Sequence, residues 1–119
     1  MAQILKSVLT KGTAAAVGGL SDGRPVAGKT GSTDNSQQSW FVGFTPQLTT
    51  AVWVGTPYSP HSMSNLQLGN TFYGGPIFGA SVAAPTWKLI MDRATAGLPP
   101  LDFGSPGAAV QSGHIVTIR

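Results

Sequence analysis

Two strand-forming runs lie almost back to back in this chain: Ser39-Trp40-Phe41-Val42-Gly43-Phe44-Thr45 and Leu48-Thr49-Thr50-Ala51-Val52-Trp53-Val54. Both are rich in β-branched and aromatic residues, and the connection Thr45-Pro46-Gln47 leaves room only for a tight reversal. The pair is therefore expected to form an antiparallel hairpin, and the rest of the chain must fold around it. Side chains alternate along a strand, so Trp40, Val42 and Phe44 share one face while Phe41 takes the other. Both faces are partly apolar, which predicts helical cover on each side.

Helices are expected at both ends. Residues 2–11 place Ile4 with Val8 and Leu5 with Leu9 at four-residue spacing, ending at Gly12. Residues 82–96 place Trp87, Ile90, Met91 and Ala94 at i, i+3, i+4 and i+7, an amphipathic stripe. Pro85 falls in the first turn, where a missing amide costs little, and Gly97 with Pro99-Pro100 ends the helix. A further strand is expected over residues 26–30, followed by a polar loop to Gln38. Residues 58–79, rich in Gly, Ser, Pro and Asn, read as one long irregular segment. From residue 104 the chain reads as a flexible tail, with a candidate edge strand over 115–118. The expected fold class is α+β: an antiparallel sheet of about three strands flanked by helices.

The 119 residues suit one small domain that buries roughly two thirds of its unfolded surface. Charged residues make up only 9% of the chain, and glutamate is absent. The net charge of +3 comes from scattered residues, with no basic cluster that would point to nucleic acid. With no cysteine there are no disulfides or thiolate metal sites, and His61 and His114 lack acidic neighbours in sequence. No cofactor or metal is expected. The first residues do not read as a signal peptide, because Lys6, Lys11 and Gly12 break the apolar run, and no stretch is long enough to span a bilayer.

The chemistry concentrates in Ala27-Gly28-Lys29-Thr30-Gly31-Ser32-Thr33. Read from Gly23, residues 23–30 match the phosphate-loop pattern G-x-x-x-x-G-K-[ST]. A phosphate loop needs a buried strand before it and a helix starting at its Lys-Thr. Here Val17-Gly18-Gly19-Leu20-Ser21-Asp22 is turn-like, and residues 31–38 lack apolar residues at helical spacing. The context therefore argues against nucleotide binding, a reading that titration with ATP and magnesium would test.

The same Lys29-Thr30-Gly31, followed by Trp40-Phe41-Val42-Gly43-Phe44-Thr45-Pro46 and Ala51-Val52-Trp53-Val54-Gly55, resembles the end of a penicillin-binding transpeptidase domain. Gly12-Thr13-Ala14, Ala83-Ala84-Pro85-Thr86-Trp87 and Gly97-Leu98-Pro99 extend the resemblance in the same order. It covers about residues 2–106 and is most similar to the bifunctional glycosyltransferase–transpeptidase branch. The resemblance implies a fragment of the serine β-lactamase/transpeptidase-like fold over residues 1–103. It implies a reaction in which a serine attacks the D-Ala-D-Ala end of a peptidoglycan stem peptide and passes the acyl group to an amine. β-Lactams would acylate the same serine.

By the same resemblance, Lys29 supplies positive potential and relays protons, and the Ser32 amide is one oxyanion donor. The Thr30 and Ser32 hydroxyls bind the terminal carboxylate, Gly31 keeps the strand clear, and Thr33 completes the substrate-binding strand. The implied location is the extracytoplasmic face of the bacterial plasma membrane, as part of a longer anchored protein.

The family's nucleophile lies in S-x-x-K and its relay serine in S-x-N. No serine here has lysine three residues on or asparagine two residues on. A serine without a paired base is a weak nucleophile. The chain is thus expected to supply the K-T-G wall, to need the remainder of the transpeptidase domain as partner, and to be inactive alone. Isolated, it is expected to expose apolar surface and associate. The rival reading is a non-catalytic module that binds a stem peptide or a protein along its exposed sheet edge.

Overall fold

A computed structural model describes residues 2–58 and 61–104. The β-rich centre is an antiparallel sheet in the order β1 (Ala27–Ser32), β2 (Gln38–Phe44), β3 (Thr49–Gly55). Its hairpin closes as expected: the Thr45 amide donates to the Leu48 carbonyl at 2.9 Å, and Thr45 Oγ1 accepts from the amides of Gln47 and Leu48. Helix α1 (Ala2–Lys6) continues as a tighter turn over Ser7–Leu9, and helix α2 (Ala84–Ala94) follows a wide π-type turn over Gly79–Ala83. The expected fold class holds. The segment read as a tail, with its candidate strand, lies outside the described residues from 105 onward.

Register explains how α2 seats on the sheet. Gly28 pairs with Gly43, and Thr30 with Phe41. A Cβ at Gly28 would lie 2.7 Å from the Phe41 ring, and one at Gly43 would lie 2.6 Å from Trp87. The paired glycines thus leave a slot that the two rings fill. Phe41 and Trp87 are fully buried with centroids 5.1 Å apart, and Trp87 Nε1 donates to the Gly43 carbonyl at 3.0 Å. Leu9, Ala14, Leu20, Val26, Val52, Ala83, Ala84 and Met91 complete this core.

The α2 stripe differs from its expectation. Trp87 and Met91 are buried, whereas Ile90 and Ala94 are exposed. The buried line runs instead through Ala84, Trp87, Met91 and Thr95, because the three-stranded sheet is narrow and covers less than the full predicted stripe.

Helical cover on both faces was also expected. Among the described residues, α2 packs on the Phe41 face. Near one end of the opposite face Phe44 meets Phe103 edge-on at 5.5 Å, and Lys6 lies over Phe103 while pairing with Asp102. Trp40, Val42 and Trp53 remain 39%, 41% and 39% exposed there.

The segment read as irregular contains a second hairpin, β4 (Ser64–Leu68) with β5 (Thr71–Pro76), turning through Gly69-Asn70. Gly69 has φ +58°, which a two-residue hairpin turn demands and glycine takes without strain. At the other end of the sheet, Arg24 holds the approach to β1. Its side chain is only 2% exposed, and a buried guanidinium must have every donor engaged. It donates to Asp22, to Gln47 in the hairpin turn, and to the carbonyls of Thr95 and Leu98 just beyond α2.

Candidate active-site strand

Lys29-Thr30-Gly31-Ser32 lies wholly within β1, which among the described residues is an edge strand of its sheet, and no helix begins at Lys29-Thr30. The phosphate-loop geometry is therefore absent. Thr30 and Ser32, two residues apart, point to the same side of the sheet, as expected. Lys29 and Gly31 are paired with Val42 and Trp40 on the other face. The Lys29 ammonium folds along the strand edge and donates to the Thr30 carbonyl at 3.0 Å.

The backbone pattern fixes where the free groups of β1 point. The Thr33 amide donates to the Gln38 carbonyl at 3.2 Å, so residues 33 and 38 form a hydrogen-bonded pair. Antiparallel pairs alternate, which directs the amides and carbonyls of Thr30 and Ser32 away from β2. The Ser32 amide therefore projects from the free side of the strand. Thr33 stands apart from this cluster: its hydroxyl accepts from the Gln38 amide and closes the β1–β2 loop. A Cβ at Gly31 would press on the Trp40 Cβ at 3.3 Å, so the glycine leaves that position slim.

Facing Thr30 and Ser32 is a wall that sequence patterns did not reveal. A cleft of about 400 Å³ is lined by Thr13, Thr30, Ser32, Phe78, Gly79, Ala80 and Ser81. A relay of main-chain bonds holds this wall in place. The Met63 amide donates to the Ser36 carbonyl in the β1–β2 loop, and the Ile77 amide to the Met63 carbonyl, each at 2.9 Å. Met63 and Ile77 are both buried, which fixes the start of the segment. Ser39 Oγ then donates to the Phe78 carbonyl at 2.9 Å, the Gly79 amide donates to Ser32 Oγ at 3.2 Å, and Ser81 Oγ accepts from the Phe78 amide.

Glycine at position 79 permits this approach. A Cβ there would lie 2.4 Å from the Trp40 carbonyl oxygen and 2.9 Å from the Thr30 Cβ. Across the cleft, the Thr13 and Thr30 hydroxyls are 2.8 Å apart. The hydroxyls of Thr13, Thr30, Ser32 and Ser81 therefore surround one small space, with the Lys29 ammonium on the adjoining edge. Hydroxyl and amide donors converging beside a free strand edge suit an extended peptide that ends in a carboxylate.

Two carboxylates outside the cleft steady the frame. Burial opposes ionisation of Asp92, yet hydrogen bonds from the Lys88 ammonium and from the amide and hydroxyl of Ser21 outweigh it and hold the carboxyl below the ordinary value. Asp22 is likewise held low, chiefly by its hydrogen bond from the Arg24 side chain. Among the described residues no helix is long and apolar enough to cross a membrane.

This geometry is that of a fragment of the penicillin-binding transpeptidase-like fold, and comparison with known proteins agrees. The structure of the PonA1 protein from Mycobacterium tuberculosis in complex with penicillin V superimposes with a TM-score of 0.73 at 29% identity, over 89% of this chain and 27% of that one. Penicillin-binding protein 1A from Haemophilus influenzae shares the fold, with a TM-score of 0.64 at 23% identity, over 88% of this chain and 15% of that one.

In sequence, the chain is 38% identical to penicillin-binding protein 1A of Mycolicibacterium smegmatis over 92 residues, 73% of this chain and 11% of that protein. It is 36% identical to penicillin-binding protein 1A of Neisseria flavescens over 121 residues, which takes in 100% of this chain and 13% of that protein. Against the protein of that name from Aquifex aeolicus it is 38% identical over 103 residues, 87% of this chain and 12% of that protein. No protein-family model matches. The chain is homologous to a segment of penicillin-binding protein 1A, and it spans only about an eighth of the length of these relatives.

Proposed function

We propose that this chain supplies the K-T-G wall of a serine D,D-transpeptidase site that cross-links peptidoglycan stem peptides and is acylated by β-lactams. The observation that carries the reading is the placement of Thr30 and Ser32 together on a free strand edge, with the Ser32 amide directed away from β2. The remainder of the transpeptidase domain brings the nucleophilic serine and its base. The complete enzyme works at the extracytoplasmic face of the plasma membrane.

The stem peptide lies along β1 as an added strand, and its terminal carboxylate accepts from the Thr30 and Ser32 hydroxyls. Attack by the serine oxygen on the penultimate D-Ala carbonyl forms a tetrahedral oxyanion, which the Ser32 amide stabilises. Loss of one such donor costs about a hundredfold or more in rate. The carbonyl–nitrogen bond then breaks, the departing D-Ala amine takes a proton, and an acyl-serine remains for an acceptor amine to attack. Lys29 holds positive potential beside this chemistry and helps to move the proton. Gly31 leaves the peptide room to approach, and Thr33, just past the strand, closes the loop to β2.

The test is acylation of the complete enzyme by a tagged penicillin. Lys29→Ala is expected to slow labelling by about a hundredfold while the fold is kept. Labelling at the wild-type rate would overturn the assignment. The chain alone is expected to show no turnover of a D-Ala-D-Ala peptide.

A second reading rests on the edge position of β1 among the described strands. A non-catalytic module would use the same free edge to bind a stem peptide. Measurable affinity of the chain for a D-Ala-D-Ala peptide, together with no labelled larger protein in the cell, would favour that reading.

A further inference from the structure

We infer that Thr13 is a positioning residue that sets the hydrogen-bond polarity of the carboxylate-recognising strand through Thr30, and so makes the site selective for an ionised terminal carboxylate. This rests on the transpeptidase reading of the cleft. Thr13 belongs to neither β1 nor the segment over residues 78–81. The turn before β1 brings it in, with the Ala14 amide donating to the Val8 carbonyl at 3.1 Å and the Ala15 amide to the Gly12 carbonyl at 3.0 Å. Ala14 is fully buried and pins that turn, so Thr13 sits at the cleft rim with its Oγ1 2.8 Å from Thr30 Oγ1.

Two hydroxyls at this separation share one proton between them and have one left to give. If Thr30 donates to Thr13, its proton is spent and it can offer a ligand only lone pairs. If Thr13 donates to Thr30, the Thr30 proton is free for the cleft. A carboxylate accepts and never donates, so its arrival selects the second arrangement: Thr13 O–H to Thr30, and Thr30 O–H to the carboxylate. Each bond in such a chain polarises the next.

Ser32 is arranged on the same logic. Its oxygen accepts from the Gly79 amide at 3.2 Å, which leaves its proton for the ligand. Each ligand-facing hydroxyl thus has a donor behind it, a side chain in one case and a main-chain amide in the other. The Thr13 donor can be removed by substitution without touching β1.

The experiment measures acylation of the complete enzyme by penicillin V and by its methyl ester, in wild type, Thr13→Val and Thr13→Ser. Thr13→Val is expected to slow acylation by the free acid about tenfold and by the ester no more than about twofold. Thr13→Ser restores the hydroxyl and should match wild type on both compounds. The acid-to-ester ratio does not depend on how much of a variant is folded, so a purely structural role would leave it unmoved. A wild-type enzyme that penicillin V does not acylate overturns the transpeptidase reading, and this inference with it. A wild type that is acylated but whose Thr13→Val variant keeps the wild-type acid-to-ester ratio overturns this inference alone.

Discussion

Gly79→Ala is the substitution that bears most directly on how the cleft is built. The added methyl would start 2.4 Å from the Trp40 carbonyl oxygen, 2.9 Å from the Thr30 Cβ and 3.2 Å from the Gly31 carbonyl oxygen. Two of these neighbours are main-chain atoms of paired strands and cannot swing aside. The segment over residues 78–81 must therefore back away by roughly 1 Å to restore ordinary contact distances. The Gly79 amide already reaches Ser32 Oγ at a long 3.2 Å, so that retreat breaks the bond. Overpacking of about 1–3 kcal/mol and a lost hydrogen bond of about 1 kcal/mol sum to roughly 2–4 kcal/mol.

Gly74→Ala is the matched control, since a Cβ there would meet nothing closer than 3.8 Å. Both variants of the complete enzyme would be followed by thermal denaturation and by the rate of penicillin acylation. Gly79→Ala should be destabilised and slowed about tenfold because Ser32 loses the donor that orients it, while Gly74→Ala should match wild type. If the two variants behave alike, the cleft wall is not held by close approach at Gly79 and the reasoning fails.

Trp87→Phe removes the indole donor to the Gly43 carbonyl and part of the ring that fills the glycine slot, and should cost about 2–4 kcal/mol in denaturant unfolding. A loss below about 0.5 kcal/mol would contradict that packing. Asp92→Asn tests the α2 anchor to Ser21. Because the folded carboxyl titrates below its ordinary value of 3.8, its stabilisation is present above that pH and disappears as pH falls through the folded value. The gap between wild type and variant should thus be constant near neutrality and close in acid; a gap that widens in acid would refute the assignment. Alone, the chain should self-associate through Trp40, Val42 and Trp53, and Trp53→Lys should lower the sedimentation-average mass. A monodisperse wild-type chain with a cooperative melt would show that this face needs no partner.

The parts of the fold legible in the sequence were those encoded by neighbours in the chain. The β2–β3 hairpin is written in alternation around Thr45-Pro46-Gln47, and α2 in its spacing and its Pro85 and Gly97 boundaries. The β4–β5 hairpin had a signal too, Leu66 and Leu68 alternating before Gly69-Asn70. It was diluted by the surrounding glycines and by the irregular register between Ser64 and Leu66, where Asn65 takes a positive φ. At the site, Thr30 and Ser32 were readable because a strand repeats every two residues. The opposite wall was not. Thr13 and the segment over residues 78–81 come from distant parts of the chain, and only tertiary packing by Ala14, Met63 and Ile77 together with long-range hydrogen bonds to Thr30, Ser32 and Ser39 brings them to the strand. Arg24 was a variable position in a phosphate-loop pattern, and its role as a clamp depends on carbonyls 71 and 74 residues away.

The most direct test of the central claim starts from membranes of the source organism labelled with a tagged β-lactam. After solubilisation, an antibody against this chain captures its target, and size and label are read together on a gel. The expected result is a labelled band much larger than 12.2 kDa, with its label reduced by Lys29→Ala. A band of this chain's own size that carries no label would contradict it.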